Sequence, residues 1–225
     1  FDADHLAGKA RCRVALAAEL GLPLAPGVPL AVAIARLSWQ KGLDLCADLV
    51  PELDQLPAVL AVLGAGDPEL EARLLDLAAR YPDRLAVRIG FDPALARRMY
   101  AGADLLLMPS RFEPCGLAQL YAMRYGTVPV VAAVGGLRDT VVDPGDAGLA
   151  AGAGTGFRFD VVDAAGLAWA LGRAARMFAH DPAGFAAVRA AGMARDGSWG
   201  PSATTYATLY ALARARHRSD ITPPG

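Results

Sequence analysis

Short apolar runs alternate with longer amphipathic segments through most of this chain. Continuous apolar runs, typical of buried strands, occupy 30–36, 58–64, 84–90, 103–109 and 128–133. Segments with apolar residues at helical spacing lie at 6–20, 43–55, 69–81, 93–103 and 115–125. This alternation predicts β-α-β units, and therefore an α/β fold with a Rossmann-like, doubly wound parallel sheet covered by helices on both faces.

The pattern is weaker towards the C-terminus. It predicts a glycine- and alanine-rich loop at 143–156, a short strand at 157–159, and helices at 163–179, about 182–194 and about 202–217. We expect a single domain over 1–225, because no linker or internal repeat interrupts the pattern.

Composition excludes several classes of function. With 225 residues and a net charge of −1, the chain has no overall basic field, so we predict neither a nucleic acid nor a membrane as partner. Cys12, Cys46 and Cys115 are too scattered for a disulfide framework or a zinc site, which favours reduced thiols and a cytoplasmic location. No signal peptide is visible, and the first residue is Phe1 rather than Met, as expected of a fragment or a processed product.

The loops that follow the predicted strands are where we expect chemistry. Right-handed crossovers bring the carboxyl ends of parallel strands to one edge of a sheet, where open α/β sheets bind their ligands. The loops concerned are 37–42, 64–67, 90–93, 109–116 and 134–139.

Two cations, Arg36 and Lys41, flank the first of these loops, with Gly42 at the start of the next helix. Such a pair suits a dianion such as a diphosphate, although a solvated surface pair is the alternative. The glycine turn at 64–67 matches the dinucleotide fingerprint poorly, which argues against a dehydrogenase. An aromatic ring at Phe91 suits stacking on a nucleobase, with a core aromatic as the alternative.

Glu113 is the most specific candidate, since it lies in a polar turn between a buried strand and a glycine. A carboxylate there accepts hydrogen bonds from sugar hydroxyls; the alternative is an ion pair with Arg111 or a helix cap. Cys115, Gly116 and Leu117 open the next helix, and we interpret Cys115 as a packing residue because no histidine is placed to activate it.

A second glycine turn, Gly135 and Gly136, follows the fifth predicted strand. Residues without a side chain allow backbone amides to approach an anion closely. This turn therefore joins the candidates at the same edge of the sheet.

Several strings, in this order and spacing, resemble the C-terminal half of bacterial glycogen synthases and plant starch synthases. They are RLSWQKGLDL, PSRFEPCGLAQLYAMRYGTVPVV, GGLRDTV, GTGFRF and DGSWGPSATTYATLY, and they cover nearly the whole chain. That family has the two-domain GT-B fold and transfers glucose from ADP-glucose to the non-reducing end of an α-1,4-glucan, with retention of configuration.

The resemblance implies roles for the candidate residues. Arg36 and Lys41 match the cations that neutralise the diphosphate, and Glu113 matches the acid at the donor glucose. Phe91 stands where the family often has a tyrosine against the adenine. The remaining donor-binding candidates are Cys115, Gly116, Leu117, Gly135, Gly136 and Tyr121, the last standing where related transferases carry a second glutamate.

The resemblance also implies what the chain lacks. No metal and no cofactor are expected, and the family's N-terminal, glucan-binding domain is absent from these 225 residues. The chain should then bind ADP or ADP-glucose without elongating glucan alone, and the helix at about 202–217 should pack toward the missing domain.

Two departures from the family pattern concern donor contacts. Ala118 replaces a common threonine, and Phe91 lacks a phenol hydroxyl. The alternatives are a retaining GT-B transferase that uses a UDP- or GDP-sugar, and a nucleotide-binding module without chemistry of its own.

Overall fold

The computed structural model describes residues 1–145 and 154–221, with all of their side chains except those of Asp54 and residues 218–221. The chain divides into two compact units, Phe1–Ala194 and Arg195–Gly225. The first unit contains the sheet and every loop at which the sequence predicts chemistry.

The first unit is built on a six-stranded, all-parallel sheet in the order β3-β2-β1-β4-β5-β6. The strands are β1 Leu30–Ile34, β2 Val59–Gly64, β3 Leu85–Ile89, β4 Leu105–Met108, β5 Val128–Ala132 and β6 Phe157–Phe159. The chain winds outward from β1 to β3 and then returns to the centre at β4. The strand order therefore reverses between β1 and β4, which makes this junction the topological switch point of the sheet.

Helices connect the strands and cover both faces. They are α1 Ala7–Leu20, α2 Leu43–Leu49, α3 Pro68–Arg80, α4 Pro93–Gly102, α5 Ala118–Arg124, α6 Gly135–Thr140, α7 Ala164–His180 and α8 Pro182–Ala194. Three of them, α3, α4 and α8, begin with the same device, an aspartate cap followed by a proline, which lacks the N–H that a helix start leaves unpaired. Asp67 accepts from the amides of Glu69 and Leu70, and Asp92 accepts from those of Ala94 and Leu95.

Alternation along the strands produces two cores. Ala31 and Ala33 of β1 face the layer formed by α2, α3, α7 and α8, whereas Leu30 and Val32 face the layer formed by α1 and α4. All four are fully buried, as expected for a central strand with a helical layer on each side. The predicted fold class is thus confirmed.

In the first unit, two helix boundaries differ from the sequence prediction by three residues or more. The helix predicted at 43–55 ends at Leu49 and tightens into a 3-10 turn over Val50–Asp54, which has a proline in its first turn. The helix predicted from 115 begins at Ala118, because Gly116 adopts the left-handed conformation with φ 73°.

The second unit contains α9, Trp199–Ile221, which is longer than the predicted helix at about 202–217. The sequence predicts one domain over 1–225, whereas the structure groups this helix in a unit of its own. Its packing toward a further domain stays a prediction. Of the predicted loop at 143–156, residues 146–153 lie outside the described residues.

Candidate active site

A cavity of about 350 Å³ lies at the switch point, between the carboxyl ends of β1 and β4. Ile34 and Ala35 line it from the first strand, and Leu107 and Met108 line it from the fourth. Ligands of open α/β sheets bind in the crevice outside such a junction. Lys41, Glu113, Gly116 and Leu117 also line it, so the cavity contains four of the predicted site residues.

Lys41 and Glu113 form an ion pair in this cavity. Lys41 ends a 3-10 turn after β1, and its Nζ lies 2.6 Å from Oε2 of Glu113. The Glu113 side chain is only 8% exposed and that of Lys41 23%, so the pair is partly desolvated and interacts more strongly than a surface pair. Because an ammonium group has three N–H donors, Lys41 can bind an anion while it stays paired.

Arg111 does not pair with Glu113, which excludes one of the two alternatives considered from the sequence, the ion pair between these residues. Its Nη2 lies 2.6 Å from Oδ2 of Asp44 at the start of α2, and its Nη1 bonds Oδ1 of the same carboxylate. Partial burial alone would raise the pKa of Asp44, but the hydrogen bonds from Arg111 hold that pKa below its ordinary value. The amide of Arg111 also donates to the carbonyl of Gln40, so this residue ties the loop after β4 to the loop after β1.

Gly42 allows these two loops to touch. It has φ 69°, and a β-carbon at this position would collide with the carbonyl oxygen of Pro109. Both the left-handed backbone and the close approach therefore require glycine. The position of Lys41 beside Glu113 depends on this contact between main chains.

Gly135 and Gly136 lie at the start of α6, directly behind Glu113. A β-carbon on Gly135 would collide with the carbonyl oxygen of Glu113, and one on Gly136 with that of Cys115. The Gly136 amide donates to the Glu113 carbonyl oxygen at 3.0 Å. These glycines thus let two loops pack together, and the Gly136 amide is already hydrogen-bonded. A contact of either glycine with a donor stays a prediction.

Gln119 is a residue of the site that sequence reasoning missed. It is fully buried, and its Nε2 donates to the carbonyls of Cys115 and Gly116 and to Oγ1 of Thr140 on α6. The side chain therefore clamps the turn at 115–117 to the neighbouring helix. Its Oε1 is buried with no hydrogen-bond partner among the residues that the structure describes. In the sequence this glutamine is one polar position in a short helix, and no spacing distinguishes it.

Four other predicted residues, Arg36, Phe91, Cys115 and Tyr121, do not line the cavity. Arg36 is exposed and has no hydrogen bond or ion pair with the described side chains, and the Phe91 ring is 93% exposed rather than part of a core. Cys115, interpreted from the sequence as a packing residue, is instead exposed in the turn that precedes α5. Leu117 is 56% exposed and lines the cavity. Tyr121 instead packs edge-on against the Tyr100 ring at 6.1 Å, away from the cavity.

The described residues contain neither a cluster of metal ligands nor a membrane-spanning helix. Residues 1–145 and 154–221 contain no group of three or more His, Cys, Asp or Glu side chains arranged to hold a metal ion. In the same ranges, no helix is both long and apolar enough to cross a membrane.

A 3-2-1-4-5-6 parallel sheet with a charged cavity at its switch point defines a doubly wound, ligand-binding α/β protein. Residues 28–176 match the family described as "Glycosyl transferases group 1", and the chain belongs to that family. It is 49% identical over 211 residues to a glycogen synthase of Thioalkalivibrio sulfidiphilus, covering 93% of this chain and 44% of the relative. It is 48% identical over 222 residues to a glycogen synthase of Rhodopseudomonas palustris, covering 99% of this chain and 45% of that relative. The chain thus spans less than half the length of the curated relatives that it matches.

Solved structures show the same relationship. The catalytic domain of starch synthase IV from Arabidopsis thaliana, bound to ADP and acarbose, superposes with a TM-score of 0.87 at 34% identity, covering 94% of this chain and 44% of that one. A sucrose-phosphate synthase from Thermosynechococcus elongatus superposes with a TM-score of 0.65 at 29% identity, covering 90% of this chain and 49% of that one. These likenesses confirm the predicted resemblance to glycogen and starch synthases.

Proposed function

We propose that this chain is the donor-binding half of a retaining glucosyltransferase that moves glucose from ADP-glucose to the non-reducing end of an α-1,4-glucan. The observation that carries the proposal is the Lys41–Glu113 pair in the switch-point cavity, 2.6 Å between Nζ and Oε2. One cation for a diphosphate and one carboxylate for sugar hydroxyls stand side by side, as a nucleotide-sugar requires. The likeness to a starch synthase bound to ADP and acarbose supports this choice of ligand.

In the proposed reaction the bond between the anomeric carbon of glucose and the diphosphate oxygen breaks, and negative charge develops on ADP. Lys41, from the cavity wall, and Arg36, from the exposed loop after β1, stabilise that charge. Glu113 accepts hydrogen bonds from the glucose hydroxyls and orients the ring. We propose that these cations serve in place of a metal ion and that no cofactor takes part.

The remaining donor contacts are proposed at the rim. Phe91, with its ring 93% exposed, stacks on the adenine, and the turn Cys115–Leu117 surrounds the phosphates and the sugar. The acceptor glucan is bound by a second domain, which closes over the cavity and excludes water. We place the protein in the cytoplasm, in keeping with its free cysteines.

Calorimetric titration with ADP tests the proposal on the chain itself. Because a hydrogen bond to a charged group contributes about 1.5–3 kcal/mol, Lys41→Ala should weaken ADP binding by about ten- to a hundredfold. Arg124→Ala is the matched control, since it removes an exposed cation in the last turn of α5. Equal ADP affinities of Lys41→Ala and the unaltered chain would refute the diphosphate assignment.

The exposed Phe91 ring favours one alternative, because stacking on an aromatic face does not distinguish adenine from other bases. A UDP- or GDP-sugar is therefore the competing donor. Thermal stabilisation by ADP, UDP and GDP, compared at equal concentration, decides between them. ADP should stabilise most; a larger effect of UDP or GDP would favour the competing donor.

A further inference from the structure

A second cavity, of about 340 Å³, opens beside β6 at the outer edge of the sheet. It is lined by Asp143, Gly145, Arg158, Asp160, Trp169 and Arg173, none of which lines the switch-point cavity. We call it the Trp169 cavity. The donor-site proposal uses none of these residues.

The floor of the Trp169 cavity is rigid and its central charges are paired. Arg173 holds Asp143 in a two-pronged ion pair, with Nη1 3.0 Å from Oδ2 and Nη2 2.7 Å from Oδ1. The amides of Gly145 and Arg158 donate to the same carboxylate, whose side chain is only 6% exposed. The Arg158 side chain, the other cation of the lining, donates to two main-chain carbonyls. Because protein groups already engage these charges, the floor attracts neither a free anion nor a free cation strongly.

Trp169 is held in an exposed position by the same arginine. The Arg173 guanidinium carbon lies 4.7 Å from the centre of the Trp169 ring and 5.4 Å from that of the buried Phe157 ring. The indole is nevertheless 56% exposed. An anchored aromatic ring at the wall of an open, polar cavity is preorganised to bind a ligand, because little side-chain entropy remains to be lost.

The chemistry of this lining selects a class of ligand. An indole face attracts weakly polarised C–H groups, and the exposed Asp160 carboxylate accepts hydrogen bonds from hydroxyls. With the Asp143–Arg173 charges paired, a neutral polyol fits better than a phosphate or an ammonium compound. We propose that the Trp169 cavity binds an α-glucan, with one pyranose ring stacked on Trp169 and its hydroxyls bonded to Asp160. This inference rests on the proposed function only for the identity of the sugar.

The location fits such a role. Asp160 directly follows β6, so it lies at the same edge of the sheet as the donor site. β6 is two strands from β4, a lateral distance of about 10 Å at the usual strand spacing. A polymer held there raises the effective concentration of its other units near the donor site.

Titration of the 225-residue chain with maltoheptaose tests the proposal. Trp169→Ala should weaken binding at least about tenfold, and Asp160→Ala should weaken it to a smaller extent. Trp199→Ala is the matched control, because it removes another exposed tryptophan from the other unit and should leave the affinity unchanged. Equal affinities of Trp169→Ala and Trp199→Ala, or no binding of maltoheptaose at millimolar concentration, would overturn the proposal.

A spectroscopic measurement identifies the ligand class and the site together. The chain has three tryptophans, so Trp39→Phe combined with Trp199→Phe leaves Trp169 as the only indole emitter. Maltoheptaose should shift its emission, while ADP should not. A response to ADP but not to maltoheptaose would overturn the assignment to a glucan. ADP titration monitored by calorimetry reports on the donor site separately, so the proposed function can fail while this proposal stands.

Discussion

Replacing Gly42 by alanine tests whether contact between two main chains positions the Lys41–Glu113 pair. A left-handed conformation costs a residue with a β-carbon about 1–2 kcal/mol, partly offset by about 0.5–1 kcal/mol from the stiffer unfolded chain. At Gly42 the β-carbon also collides with the Pro109 carbonyl oxygen, which belongs to rigid backbone. Overpacking of this kind adds about 1–3 kcal/mol, so the free energy of unfolding should fall by about 2–4 kcal/mol.

Gly21 provides the matched control. Its φ is 73°, nearly the same as that of Gly42, but a β-carbon there would meet nothing within 4 Å. Gly21→Ala should therefore cost about 1 kcal/mol, the backbone term alone. Urea denaturation of both variants measures the difference, and ADP titration should show weaker binding only for Gly42→Ala. Equal destabilisation by the two substitutions would refute the role assigned to the Pro109 contact.

Two further predictions concern buried polar side chains. Gln119→Leu should destabilise the chain by about 1–3 kcal/mol and weaken ADP binding, since leucine cannot donate to the Cys115 and Gly116 carbonyls. Gln119→Glu should have the same effect when the glutamate is ionised, since a carboxylate only accepts hydrogen bonds. Retention of wild-type ADP affinity in Gln119→Leu would contradict the clamp. Burial, with the Arg189 charge, lowers the pKa of Lys9 to about 7. Because that folded-state pKa lies below the unfolded value of 10.5, stability should rise as pH increases above 7. Between pH 7 and 9 the unaltered chain should gain about 1–2 kcal/mol more than Lys9→Met in urea titrations; parallel pH curves would contradict the shift.

The sheet could be predicted from the sequence because each central strand is a short run of buried apolar residues. The limits of the helices were less predictable. A pattern of apolar positions indicates which face of a helix is buried. It does not indicate that the backbone becomes left-handed at Gly116 or tightens into a 3-10 turn after Leu49. Such local changes of the backbone do not alter the spacing of the apolar residues, yet they determine where α2 ends and where α5 begins.

The sequence could predict at which edge of the sheet the site lies, but it could not predict which side chains of the site pair with each other. Lys41 and Glu113 are 72 positions apart, and only the adjacency of β1 and β4 brings them together. The order of strands is a property of the whole sheet, so a local pattern cannot show that Glu113 meets Lys41 while Arg111 meets Asp44. Tyr121, a position chosen by resemblance, packs against Tyr100 of α4 and does not line the cavity, and its contact with a donor stays a prediction.

The cavity walls are held together mainly through main-chain atoms, and this bears on how far its side chains can vary. Gly42 fits against Pro109, the Gly136 amide bonds the Glu113 carbonyl, and Gln119 grips two further carbonyls. Neither departure from the family pattern belongs to this set: Phe91 is an exposed ring and Ala118 a small residue of the lining. With the donor bound as proposed, a change at either position alters a ligand contact without moving the loops, so donor preference can change on an unaltered scaffold.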